Sequence, residues 1–338
     1  MNEQIASFQT VLDSLLASDK DFPRRYLQHF SDIGPLELKT LLDIWSRVKL
    51  TRKLSLLEGL ESLAESDTLV NFDDFARALL NDPEASVRVH AIRLLDREAC
   101  DDVKLVPTYI ELLKNDPDVN VRAAAANALN LFVDLGELEE IPQEVYGEIQ
   151  SVLLESARSE KETRVRRRAL ESLGWSSNPE VAELIESAFD GNLDWKTSAL
   201  IAMGRSADDR WEDRVLRSML DDNVKIRKAA VQSAGMLAFK SARLPLLRML
   251  ESEESDEVMS AVIWSLSQIG GEDVQIVLEN LLDQTEDEDL IEFLEEALDN
   301  LAFTEDLERF ALMSFDPDEL EDLEELDVDE DDENEEDK

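Results

Sequence analysis

The sequence predicts an all-α protein, a right-handed α-solenoid of about seven helix pairs that ends in an acidic, disordered C-terminal tail. Three observations carry this expectation. A short residue frame recurs at a spacing near 32 residues. Within each copy the apolar residues follow a helical rather than an alternating period. The 10 Gly and 9 Pro in 338 residues leave few of the turns that an all-β chain needs, while 43% hydrophobic residues supply ample core.

Residues 1–70 precede the frame and read as an N-terminal helical cap. Gly34-Pro35 opens a segment carrying Leu38, Leu41, Leu42, Trp45 and Val48, and Thr51 opens another with Leu54, Leu57, Leu60 and Leu63. The repeats proper span 71–302. Asn81-Asp82-Pro83 leads to Val87-Arg88 and Ala91, and 34 residues later Asn115-Asp116-Pro117 leads to Val121-Arg122 and Ala125. The frame continues at Val165-Arg166, Trp195-Lys196 and Ile226-Arg227, then weakens at Val258 and Leu290, where Met259 and Ile291 replace the base. These last two copies read as capping repeats. In the second copy Pro117 ends the first helix, because proline disfavours helical geometry in the residue before it. Val121, Ala125, Ala128 and Leu129 then form a stripe at i, i+4, i+7 and i+8 that only a neighbouring pair can cover. The wider spacing between copies two and three marks an insertion at 133–144, expected as a surface loop. Residues 303–315 read as a C-terminal cap and 316–338 as the disordered tail, where 16 of 23 residues are acidic and too little apolar surface remains to offset chain entropy.

The frame D-P-x-x-x-V-R-x-x-A, with Ser172-Leu173-Gly174 and Ala202-Met203-Gly204 further on, resembles HEAT repeats of the short, phycobilisome-lyase-like kind. That resemblance implies an α-solenoid. It reaches proteins of several functions, from scaffolds and adaptors to bilin lyases and an iron hydroxylase, so it implies no single activity. It also implies an ion-pair ladder between turns, made from the acid six residues ahead of each base: Asp82 with Arg88, Asp116 with Arg122, Glu160 with Arg166, Asp190 with Lys196, and Asp221 with Arg227.

Charge narrows the function classes. Against 34 Lys plus Arg stand 79 Asp plus Glu, a net charge of −45. Such a surface repels phosphates, so neither nucleic acid nor an anionic membrane is expected as a partner. A single Cys, no signal-like start and no membrane-length apolar run predict a cytoplasmic protein. The side chains suited to catalysis are sparse. His29 is followed by Phe30 and His90 by Ala91, so the His-Glu pairs that hold iron in the hydroxylase are absent. Cys100 has no C-x-x-C partner, and no phosphate loop or EF-hand spacing occurs. No cofactor is expected.

Second helices of such a stack line its concave face. Offsets of two, three, six and ten from the leading apolar residue place Arg93, Arg167, Arg168, Trp175, Arg205 and Lys228 there, a basic stripe, with Trp264 from copy six and Glu292 and Glu296 from copy seven changing its sign at the end. Arg and Trp are favoured anchors of binding surfaces. The expected function is therefore a non-catalytic scaffold or adaptor that binds a protein partner through this face. The tail can fold back onto the basic stripe, and a bilin-lyase-like, pigment-handling role is the alternative.

Overall fold

The computed structural model describes residues 7–17, 21–97 and 100–314. The expected disordered tail lies outside them. The described residues are helical and contain no strand. The chain divides into two compact units, Met1–Ala207 and Asp208–Lys338.

In the first unit a short helix α1 (Phe8–Leu16) is followed by paired helices: α2 (Pro35–Trp45) with α3 (Leu50–Ser66), α4 (Asp73–Leu79) with α5 (Ala85–Leu95), and α6 (Val106–Asn115) with α7 (Val119–Ala128). Then come α8 (Asn130–Glu137), α9 (Gln143–Ser159) with α10 (Thr163–Leu173), and α11 (Pro179–Phe189) with α12 (Leu193–Arg205). The second helices pack side by side, α3 on α5, α5 on α7, α7 on α10 and α10 on α12. Their buried residues, such as Val87 and Ala91, Val121 and Ala125, or Val165 and Ala169, are the apolar and small positions of the frame. Small residues four apart let helix axes approach, so the apolar stripe of each pair is covered by the next.

The second unit repeats the plan with α13 (Glu212–Ser218), α14 (Val224–Met236), α15 (Arg243–Ser252), α16 (Asp256–Ile269), α17 (Glu272–Gln284) and α18 (Glu288–Ser314). Here α14 packs on α16 and α16 on α18. Gly270 at φ 76° and Gly271 at φ 127° close α16 in a conformation that L side chains rarely adopt. Helix α18 runs without a break past residue 303, so the segment expected as a separate C-terminal cap continues the last repeat helix.

Two further expectations change on the structure. The insertion at 133–144 is not a surface loop: α8 buries Phe132 and Val133 and packs against α9 and α10, leaving only 138–142 as a turn. Residues ahead of the frame also supply helices that meet the first recognised copy: α3 packs on α5, and Trp45 of α2 meets Phe75 of α4 edge-on.

Candidate functional site

Four turns between paired helices are built first by their own acid. An Asp82 carboxylate oxygen accepts the Glu84 amide at 2.9 Å, Asp116 accepts Asp118 at 2.9 Å, Asp221 accepts Asn223 at 3.0 Å, and Glu253 accepts Ser255 at 3.0 Å. The base six residues on then binds the turn's backbone: Arg88 donates to the Asp82 carbonyl at 2.8 Å, Arg122 to that of Asp116 at 2.9 Å, and Arg227 to that of Asp221 at 3.0 Å. The rest of the guanidinium reaches into the next repeat. Arg88 makes a two-pronged pair with Asp116, 28 residues away, at 2.8 Å for both bonds. Arg122 meets Glu160 at 3.3 Å, and Arg227 forks onto Glu253 at 2.8 and 2.7 Å.

The ladder is therefore real, with a corrected register. For these three arginines the ionic partner is the acid of the following repeat, and the acid six residues earlier contributes its carbonyl. The register reaches back into the N-terminal segment, where Lys53 and the Trp45 indole both bond the buried Asp82 carboxylate, at 3.2 and 2.6 Å. It fails at Arg166, which donates to the Ala157 carbonyl at 3.0 Å and lies over the Trp195 ring, 5.2 Å from its centroid, while Asp190 is exposed. Lys196 lies over Phe189 at 5.3 Å.

On the second-helix face of the first unit, a cleft of about 460 Å³ opens over α5, α7 and α10, lined among others by His90, Arg93, Asp96, Asn127, Arg164 and Arg168. The expected bare basic stripe is not present. His90 Nδ1 sits 2.7 Å from Glu61, with Arg93 at 3.8 Å from the same carboxylate. Arg168 pairs with Glu171, and Arg167 bonds Ser198 at 3.0 Å and Asp194 at 3.0 Å. The Ser198 hydroxyl donates a hydrogen bond to the buried Glu171 carboxylate at 2.5 Å, and Arg205 donates to the Glu171 carbonyl at 2.7 Å. Asp96 accepts from Asn127 at 2.7 Å. Burial holds the Asp96 carboxyl above its ordinary range against the pull of Asn127, Arg205 and Arg168. Burial also pulls Arg205 below the ordinary guanidinium value, opposed by Glu171 and Asp96.

Trp175 is half-buried rather than free, because its indole N–H donates to Asn130 on the insertion helix at 2.8 Å. The remaining two expected site residues lie in the second unit. Lys228 pairs with Glu257 at 3.2 Å, and Trp264 is 39% exposed with its ring 6.3 Å from that of Phe293. Four of the five bases at the inward offsets, Arg93, Arg167, Arg168 and Lys228, thus pair with a carboxylate. Asn127 sits at the same offset as Arg93 and Glu171, so the frame itself marks it. Asp96, Glu61 and Asn130 fall outside those offsets and carry no sequence signal of their own.

No set of three His, Cys, Asp or Glu side chains among the described residues is placed to hold a metal ion. The buried Cys100 thiol is pushed up to about 12, chiefly by burial and then by Asp73, which keeps it protonated and unreactive. No helix among the described residues is long and apolar enough to cross a membrane.

Residues 73–143 and 213–299 match the HEAT repeats family. The chain contains HEAT repeats in both stretches. No curated protein matches it. Among solved structures, the complex of CpcE and CpcF of phycocyanin lyase from Nostoc sp. PCC7120 is similar at 16% identity, covering 84% of this chain and 100% of that one, with a TM-score of 0.50. The Escherichia coli protein YibA matches at 18% identity over 85% of this chain and 99% of its own, with a TM-score of 0.40. At 16% identity the likeness to the lyase complex is one of fold.

Proposed function

We propose that this protein is a scaffold or adaptor that holds a protein partner on the second-helix face of its first unit, in the cleft over α5, α7 and α10. The observation that carries this reading is the cleft's construction. The Asp96–Asn127 bond fastens its lining and the buried Glu171 holds Arg168 of that lining, while the Arg93 side chain stays half-exposed, 54% accessible. A rigid floor beneath adaptable charged side chains lowers the ordering cost of binding and leaves polar groups to set orientation.

Capture from a lysate of the native organism tests it, with three versions of the chain compared. Arg93→Glu inverts the mouth, Ala124→Arg fills the cleft, and Glu148→Lys alters an exposed site on α9 as the control. Binding should be lost with the first two and kept with the third. Equal capture by all three would place the partner elsewhere. The shared fold of the phycocyanin lyase subunits supports pigment handling as the second reading. Under it, coexpression with a bilin yields a coloured protein whose absorption disappears in Ala124→Arg.

A further inference from the structure

The second unit carries a surface of a different kind, which shares no residue with the cleft in the first. Along α14, Val224, the part-exposed Lys228, Gln232 and Met236 are spaced four apart on one face. Gly235 brings α16 close, since a Cβ there would fall 2.7 Å from the Ser265 side chain. Trp264, the residue before Ser265, is exposed on α16. Trp264 meets Phe293 of α18, and Asn300 of α18 bonds Ser267 of α16 at 2.9 Å, which fixes the flank of α18 that continues the stripe. Phe303 and Leu307 fall on that flank, ten and fourteen residues after Phe293.

Four large apolar side chains thus stand in solvent along one face: Met236 at 42%, Trp264 at 39%, Phe303 at 63% and Leu307 at 53% exposure. A contiguous apolar strip rimmed by polar residues marks an interaction surface. Its rim on α16 and α18 has one sign, and Lys228 on α14 is already paired with Glu257. Residues 251–308 carry 20 acids and no base, and Glu257, Glu292 and Glu296 stand exposed along α16 and α18.

We infer that this face binds a positively charged amphipathic helix of another protein, whose apolar side chains sit on Met236, Trp264, Phe303 and Leu307 and whose Lys or Arg residues meet the glutamates at the rim. Other occupants fit worse on charge. The chain's own 316–338 segment is acidic at 16 of 23 positions, and a second copy would set one acidic rim against another. A nucleic acid would be repelled.

A fluorescently labelled amphipathic Leu–Lys helix of about 18 residues, roughly 27 Å long, is the probe, titrated into the full chain by anisotropy. A scrambled peptide of the same composition controls for charge. The amphipathic peptide should bind at least about tenfold tighter than the scramble, and Phe303→Ser or Trp264→Ala should each weaken it about tenfold or more. Glu296→Lys should weaken it as well, and Arg93→Glu should leave it unchanged. Phe303→Ser decides the matter if Trp264→Ala lowers the melting temperature, because Phe303 is the more exposed. Equal binding of the scramble, or affinity indifferent to Phe303→Ser, overturns the inference. Loss with Arg93→Glu instead would assign the peptide to the first unit's cleft.

Discussion

Arg88 and Arg166 occupy the same place in their repeats, one residue after the buried valine that leads the second helix, and they end in different environments. Arg88 is nearly buried and grips Asp116 of the following repeat with both prongs. Arg166 lies against a tryptophan and one backbone carbonyl. The difference comes from the next turn rather than from the arginine. After Arg88 the turn Asn115-Asp116-Pro117 directs its carboxylate inward, where it also accepts the Asp118 amide. After Arg166 the turn is Phe189-Asp190-Gly191-Asn192, in which Asn192 caps α12, Asp190 faces solvent and Trp195 supplies a ring in place of an acid. A ladder position is therefore a property of two successive repeats, and a base alone does not make one.

The sharpest way to break this comparison is Arg88→Ala, which leaves Asp116 buried without its charge partner and should cost about 3–5 kcal/mol in urea unfolding. Arg122→Ala faces a more open Glu160 and should cost about 1–3 kcal/mol. A double-mutant cycle sharpens the register: Arg88 with Asp116 should couple strongly. Arg88 with Asp82→Asn should couple little, because the Asp82 carboxylate answers to Lys53 and Trp45. Strong coupling to Asp82 would restore the within-repeat pairing.

The pH dependence separates a ladder acid from a cleft acid by sign. The Arg227 fork holds Glu253 below the ordinary carboxylate range, so its stabilisation is present above that range and lost as pH falls through the depressed value. Asp96 is held high by burial, so its ionised form costs stability at neutral pH, and the cost disappears as pH falls through the raised value. Glu253→Gln should thus be less stable than the parent chain at neutral pH and Asp96→Asn more stable, the first gap closing as pH falls through the depressed Glu253 value and the second as pH falls from the raised Asp96 value toward the ordinary carboxylate range. Parallel curves of one sign would contradict the assignment. Two smaller effects remain. Trp175→Phe removes the bond to Asn130 and should cost about 1 kcal/mol, and Arg166→Ala, losing a ring contact and a carbonyl bond, should cost no more than about that.

The second-helix faces of the two units differ in the same instructive way. In the first, the expected cations Arg93, Arg167, Arg168 and Arg205 were read correctly as sharing a face, yet Glu61, Asp194, Glu171 and Asp96 stand among them and cancel the stripe. Helical offsets report direction within one helix. They do not report which carboxylate a neighbouring helix brings alongside. The insertion was legible as extra length, but its helicity was not, because Phe132 and Val133 favour a helix only once α9 and α10 are there to cover them.

By itself the sequence determined that this protein is built of stacked helix pairs, where each turn falls, and which residues of each second helix are small or apolar. These follow from local chemistry, since Asp-Pro ends a helix and an unpaired apolar stripe demands a neighbour. Only the tertiary structure decided the partners. The carboxylate that meets Arg88 is 28 residues away and the one that meets Arg122 is 38 away, and both distances depend on how repeats of unequal length pack. An ion pair requires contact within about 4 Å, a condition that sequence spacing does not encode and stacking does.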